Sequence, residues 1–269
     1  RRTTADAAAR WIGLASTVGV AGGALTTTAA LALFPGRSSA IYAVEASVMV
    51  LCALSLVPLA DDPGVRGTGR FVRPPTWPPG SLLPGLGIAL GWSVAGTVVA
   101  VLPGLFSDAG QAWAAAIAVT TMLTGGVLAQ SHARRLSGLR NMVIGTVWLC
   151  LGAVGLCLAF ALGNPVVALA ATALCGVATH GYLYVGGLVR LARVAPGDAR
   201  ATSGYFVMAY LGFGLPAIGV GTLAEHTTPA TALGVLAVAV MAASVVVVTL
   251  ARREQPAPTL DACPGAGGV

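Results

Sequence analysis

The sequence predicts an all-α protein that crosses a membrane several times. Of its 269 residues, 56% are hydrophobic and only 9% are charged. A soluble domain carries about 25% charged residues, so this chain could not cover a water-exposed surface. A bilayer accounts for the composition, because helices in lipid need apolar side chains on their outer faces as well.

Eight apolar segments are long enough to span the membrane, which takes roughly 20 residues of helix. The loops between them are short and rich in Gly, Pro, Asp and Arg, which is typical of helix ends at a membrane surface. The predicted spans cover residues 11–34, 39–60, 82–104, 109–131, 141–163, 166–189, 202–224 and 230–251.

The basic residues predict the orientation. All 15 are arginines, and 14 of them precede the first span or follow the second, fourth, sixth or eighth; only Arg37 falls on the other side. Cytoplasmic loops carry an excess of basic residues. We therefore expect a multi-pass protein of the cell (inner or plasma) membrane with both ends of this chain in the cytoplasm.

The spacing of the spans predicts four parts. Residues 1–60 hold two predicted helices, and residues 82–251 hold six. Residues 61–81, with five prolines and three arginines, predict a cytoplasmic linker between them. Residues 252–269 are rich in Pro and Gly and predict a disordered cytoplasmic tail.

Three stretches resemble the major facilitator superfamily of transporters, in particular its bacterial exporter-like members. Residues 190–225 resemble the loop and helix that begin the last hairpin of that family, with the motif formed by Tyr210, Leu211, Gly212 and Pro216. Residues 125–145 resemble its basic loop between helices eight and nine. Residues 15–25 resemble its Gly-rich fifth helix.

The resemblance implies a particular architecture and function. The family has twelve helices in two six-helix halves joined by a cytoplasmic loop. The resemblance therefore implies that this chain corresponds to helices five to twelve and lacks the first four. It also implies that residues 1–60 are the last two helices of the N-terminal half-bundle and that residues 82–251 are the C-terminal six-helix bundle. It implies a secondary active transporter (a permease) that moves a small molecule by alternating access, with proton-coupled efflux as the usual mode. Small residues let such helices approach closely, and Gly19, Gly212 and Pro216 are the candidates for helix packing. Alternatively, the glycines reflect a codon bias of the gene and not a role in helix packing.

Two ionisable residues inside the spans are candidates for substrate binding or coupling, because charge is costly in lipid. Glu45 lies near the outer end of the second predicted span and could couple protons; alternatively it reaches the headgroups or pairs with Arg37. His180 lies near mid-depth in the sixth predicted span. It could bind substrate or relay a proton, or form an interhelical hydrogen bond to a carbonyl or a Thr.

Aromatic residues form a second group of candidates. Trp92, Tyr182 and Tyr210, together with Tyr205, could line a cavity for an amphipathic substrate. The alternative is that they anchor helix ends at the membrane interface.

Arginines of one loop are candidates for gating. Arg134, Arg135 and Arg140 could form ionic contacts between the two halves that hold one access state. Alternatively, these arginines only determine the orientation of the chain in the membrane and take no part in gating.

No sequence motif indicates an enzyme, a metal site or a cofactor, so we expect none of the three. No basic helix with interleaved aromatics indicates nucleic acid. The expected partners are a small-molecule substrate, protons and the lipid bilayer, and the full-length protein is expected to be a monomer. A non-transporting membrane scaffold or accessory protein with eight helices stays open as the alternative function.

Overall fold

The computed structural model describes residues 38–56 and 74–253, together with isolated positions between 19 and 34. Within these residues the chain is helical and contains no strand. Ser38–Leu56 is one apolar helix, shorter than the spans that follow it. The predicted second span, 39–60, overlaps this helix. Only isolated positions of the predicted first span, 11–34, are described. The linker up to residue 73 and the tail beyond residue 253 lie outside the described residues.

Six further helices are long and apolar enough to cross a membrane, which makes the chain a multi-pass helical membrane protein. Each overlaps one of the last six predicted spans. We name them span A to span F, in chain order: Leu82–Asp108, Trp113–Ala133, Gly138–Ala161, Pro165–Val194, Ala199–His226 and Pro229–Arg253.

Two of the spans are not uniform α-helices. Span A consists of Leu82–Ala100 and Leu102–Asp108, and the second of these helices has a proline in its first turn. Span D consists of Pro165–Gly176, the π-helix Val177–Leu183 and Tyr184–Val194. A π-helical turn inside an α-helix is rare and occurs frequently at functional sites.

Local sequence fixes where several spans begin. The Asn164 side chain accepts hydrogen bonds from the amides of Val166 and Val167 at the start of span D. Asp198 caps span E in the same way, accepting from Arg200 and Ala201. These short polar side chains satisfy amides that have no partner within the helix.

Glycines fix where two spans end. Gly110 and Gly163 have φ of 71° and 62° and follow spans A and C. Beyond each glycine the chain turns back on the helix: Gln111 donates from its amide to the carbonyl of Phe106 (2.7 Å), and Asn164 to that of Ala159 (2.9 Å). This is the left-handed glycine termination of α-helices.

The spans pack around a continuous apolar core. Buried side chains of spans A, C, D and F meet there, including Val94, Leu149, Cys175 and Leu233. Span A packs most extensively on span E, span B on span D, and span C on spans D and F. Span E is the least enclosed, since only 17% of its most apolar stretch is buried.

Glycines allow the backbones of these pairs to touch. A Cβ atom at Gly212 in span E would overlap the carbonyl oxygen of Ala89, and one at Gly96 in span A would overlap that of Phe213. Between spans B and D, a Cβ atom at Gly176 would overlap the carbonyl oxygen of Met122. Close backbone approach of this kind is what small residues provide in membrane helix pairs.

The end of the linker is fixed to span E. The Thr76 amide donates to the carbonyl of Arg200 (3.1 Å), and the Arg200 Nε donates to the carbonyl of Pro74 (2.9 Å). The Trp77 indole donates to the carbonyl of Gly204 (3.2 Å). The Trp77 side chain thus holds the end of the linker against the helix.

Charge divides the two ends of the six-span body. Every arginine among the described residues lies at the end where spans B, D and F finish, which we call the arginine end: Arg134, Arg135, Arg140, Arg190, Arg193, Arg200, Arg252 and Arg253. The opposite end carries Asp108, Glu225 and His226. The described spans therefore alternate as the arginine pattern predicted.

The contact between spans A and E gives a stability prediction. Gly212→Ala places a methyl group against the Ala89 carbonyl, and we expect overpacking to cost about 1–3 kcal/mol. Gly214→Ala, two residues away on the same helix, is the matched control, since no heavy atom lies within 4 Å of its Cβ position. Thermal unfolding in detergent should show a lower Tm for the first variant only; equal Tm values would contradict this packing.

Candidate functional site

Four aromatic rings meet near the middle of spans A, D and E. The Trp92 ring lies 5.3 Å from that of Tyr210 and 6.1 Å from that of Phe213, both in edge-to-face orientation. The His180 ring lies 6.4 Å from that of Trp92, tilted by 30°. We call these four residues the aromatic cluster; it brings together three of the residues that the sequence singled out.

The cluster contains a hydrogen-bond donor without a partner. The indole Nε1 of Trp92 is inaccessible to solvent and has no hydrogen bond to any described residue. A buried donor usually finds an acceptor, and leaving it without one costs free energy. A ligand with an acceptor oxygen or nitrogen would satisfy this group.

His180 lies within the π-helix, and its surroundings are polar. Its Nδ1 is 2.8 Å from the hydroxyl of Thr179. The backbone carbonyl of His180 accepts from Nε2 of Gln130 in span B (3.1 Å). The Oε1 of Gln130 in turn accepts from Nη2 of Arg134 (3.4 Å). The sequence left open a hydrogen bond from His180 to a Thr of another helix. A contact with a Thr is present, but Thr179 belongs to the same helix as His180.

Tyr182 belongs to a different contact. Its hydroxyl lies 2.8 Å from Nδ1 of His132 in span B, and the two rings are edge to face at 5.9 Å. Tyr182 is buried, whereas His132 is exposed near the arginine end. Tyr182 is thus separate from the aromatic cluster, although it lies only two residues after His180.

The remaining candidates lie elsewhere. Glu45 is half-buried in the Ser38–Leu56 helix, which makes no extensive contact with spans A to F in the described part of the chain. The gating candidates Arg134, Arg135 and Arg140 are exposed around the turn between spans B and C.

The packing candidates fall into two groups. Gly212 contacts span A, and Pro216 lies within the same helix, span E. Gly19 has no described heavy atom within 4 Å of its Cβ position, so its packing role stays a prediction.

Sequence reasoning missed Phe213, Gln130 and His132. Phe213 lies three residues after Tyr210, which places both on one face of a helix, and this spacing was a usable signal. Gln130 is an amide within an apolar span, and such residues form hydrogen bonds between membrane helices. Nothing in the local sequence marks the π-helix.

The chemistry of the aromatic cluster suits binding rather than covalent catalysis. It offers ring faces and edges, one unpartnered donor and one imidazole that can carry a proton. No group of three His, Cys, Asp or Glu side chains in the described ranges could hold a metal ion. Comparison with protein-family models, with curated proteins and with solved structures gives no match.

The contact between Tyr182 and His132 predicts a difference between two tyrosines. Tyr182→Phe removes the 2.8 Å hydrogen bond and should lower the stability by about 1 kcal/mol. Tyr210→Phe is the control, because Tyr210 is 65% exposed and its hydroxyl has no partner among the described residues. Unfolding in detergent without substrate measures both; an equal loss of stability would argue against the hydrogen bond.

Proposed function

We propose that the chain is part of a secondary active transporter of the major facilitator type, a permease that exports a small molecule by alternating access coupled to protons. The observation that carries the proposal is the order in which spans A to F pack. Transporters of this type contain inverted repeats of three helices within each six-helix half.

Exchanging spans A, B and C with spans D, E and F reproduces most of the extensive contacts between spans, although not the one between spans C and D. The pair formed by spans A and E becomes the pair of spans D and B, and these are two of the most extensive contacts. The contacts between spans A and D and between spans C and F each map onto themselves. Because span A runs away from the arginine end and span D towards it, such a repeat is inverted.

The exchange is incomplete. The extensive contact between spans C and D becomes the slight contact between spans F and A. Spans E and F contact each other along the described chain, whereas their counterparts, spans B and C, do not pack extensively. The repeat therefore holds for the pairs A–E and B–D, for the contact of span A with span D and for that of span C with span F, and not for every neighbour.

The position of the aromatic cluster supports the same proposal. Substrates of these transporters bind near the midplane at the interface of repeats, often where a helix is interrupted. Trp92 and His180 lie on spans A and D, which the exchange relates, and His180 is in the π-helical part of span D, where the regular α-helix changes. Tyr210 is 65% exposed on span E, so the cluster opens onto the side of the six-span body.

That open side fits an incomplete site. We propose that spans A to F are the second half, that the Ser38–Leu56 helix and residues 11–34 belong to the first half, and that the arginine end faces the cytoplasm. The Ser38–Leu56 helix exposes Tyr42, Val44 and Met49, among other apolar side chains, which suits lipid and further helices on its faces.

Transport by variants tests this proposal. In vesicles energised by a proton gradient, with a panel of candidate substrates, we expect His180→Gln to reduce uptake at least tenfold, because it removes the protonatable group of the cluster. Glu45→Gln should reduce proton-coupled uptake if Glu45 carries the coupling proton. The matched control is His226→Gln, which replaces a histidine at the far end of span E. The uptake by this variant should equal that of the unchanged protein.

Unchanged uptake in the His180 and Glu45 variants would remove both residues from the mechanism. If no substrate moves in response to a gradient and the first four helices are not encoded upstream, a scaffold is the better interpretation.

A further inference from the structure

A second cavity lies far from the aromatic cluster, at the end of the bundle opposite the arginine end. It has a volume of about 260 Å³ and lies between the ends of spans A and C and the start of span D. Cavities for drug-sized ligands measure about 300–1,000 Å³, so this one suits a ligand of roughly ten non-hydrogen atoms.

The floor of the cavity is apolar and aromatic. Phe106 from span A and Phe160 from span C contribute rings whose centroids are 5.3 Å apart. Phe106 is almost completely buried and Phe160 partly so, which fixes both rings by packing in the main core. Aromatic faces of this kind attract apolar groups and cations.

The rim carries one formal charge, that of Asp108. Its carboxylate has no hydrogen bond or ion pair with any described residue, and every described arginine lies at the other end of the bundle. Glu225, also at this end, does not line the cavity. A negative rim to which the described part of the chain offers no counter-charge favours a cation.

The helix ends at the cavity do not favour an anion. Span D begins there, and a helix start would offer amides to a phosphate or carboxylate. However, the Asn164 side chain already accepts from the amides of Val166 and Val167, at 3.0 and 3.3 Å. The anion-binding capacity of this helix start is therefore occupied by its own cap.

We propose that this cavity binds an ammonium group attached to a small apolar body, with the ammonium beside Asp108 and the apolar body on Phe106 and Phe160. The ammonium belongs either to a soluble amine or to the headgroup of a zwitterionic lipid, since the cavity lies at the end of the spanning helices. The site is independent of the proposed transport function and separate from the aromatic cluster.

Calorimetric titration of the purified chain in nanodiscs of phosphatidylglycerol tests the proposal, with benzyltrimethylammonium as the probe. We expect saturable binding, and a Kd raised about fivefold by Asp108→Asn, because an ion pair at a partly open cavity is of modest strength. Phe160→Leu should raise the Kd about threefold by removing the aromatic face while keeping an apolar side chain.

Two controls separate the cavity from a general attraction of cations. Glu225→Gln removes a carboxylate at the same end but outside the cavity, and should leave the Kd unchanged. Phenylacetate, an aromatic anion of similar size, should not bind. The proposal is overturned if phenylacetate binds as well, if Asp108→Asn leaves the Kd unchanged, or if Glu225→Gln has the same effect as Asp108→Asn.

Lipid composition then assigns the source of the ammonium. If adding phosphatidylethanolamine to the nanodiscs weakens probe binding, the lipid headgroup occupies the cavity. If it has no effect, a soluble amine is the ligand. Both results keep the ammonium site, and correct folding of each variant is checked by its unfolding temperature.

Discussion

The close approach of helix backbones at glycines is the constraint on which this structure depends. Lipid tails are as apolar as the helix surfaces, so the spans gain little from hydrophobic burial and associate mainly through van der Waals contact. Gly96 and Gly212 let spans A and E touch, and Gly176 does the same for spans B and D. The proposed exchange relates the pair of spans A and E to the pair of spans B and D. Both pairs are therefore held together by the same kind of contact, between backbones at glycines.

The close contact of spans B and D also determines the surroundings of His180. Cβ atoms at Gly126 and Gly181 would lie 2.5 Å from the Cβ atoms of His180 and Ala129, so both glycines are needed to seat the π-helix against span B. At this distance Gln130 reaches the carbonyl of His180. A π-turn shifts side chains around the helix axis relative to an α-helix, so the packing that admits the π-helix also sets the direction of the imidazole.

Composition and charge were sufficient to predict the six described spans, because long apolar runs and arginine-rich loops follow from the bilayer alone. Each of the six described spans extends a predicted one at one end or both, since helices continue into capped, polar turns such as that at Asp198. Trp92, His180 and Tyr210 could be selected one by one as costly or bulky residues. Their convergence could not be predicted, because it depends on the contact of spans A and E and on the π-helix in span D.

The distribution of charge limits what the aromatic cluster can do unaided. His180 is the member of the cluster whose side chain can carry a positive charge. No carboxylate of spans A to F lies near the middle of the bundle: Asp108 and Glu225 are at one end and Asp198 is at the other. A proton or a cationic substrate held there would be a charge in lipid without a counter-ion, which is costly. For the proposed proton coupling through His180, a counter-ion would have to come from outside spans A to F, and Glu45 in the Ser38–Leu56 helix is the one other carboxylate among the described residues. The proposed site is thus complete only when both halves contribute to it.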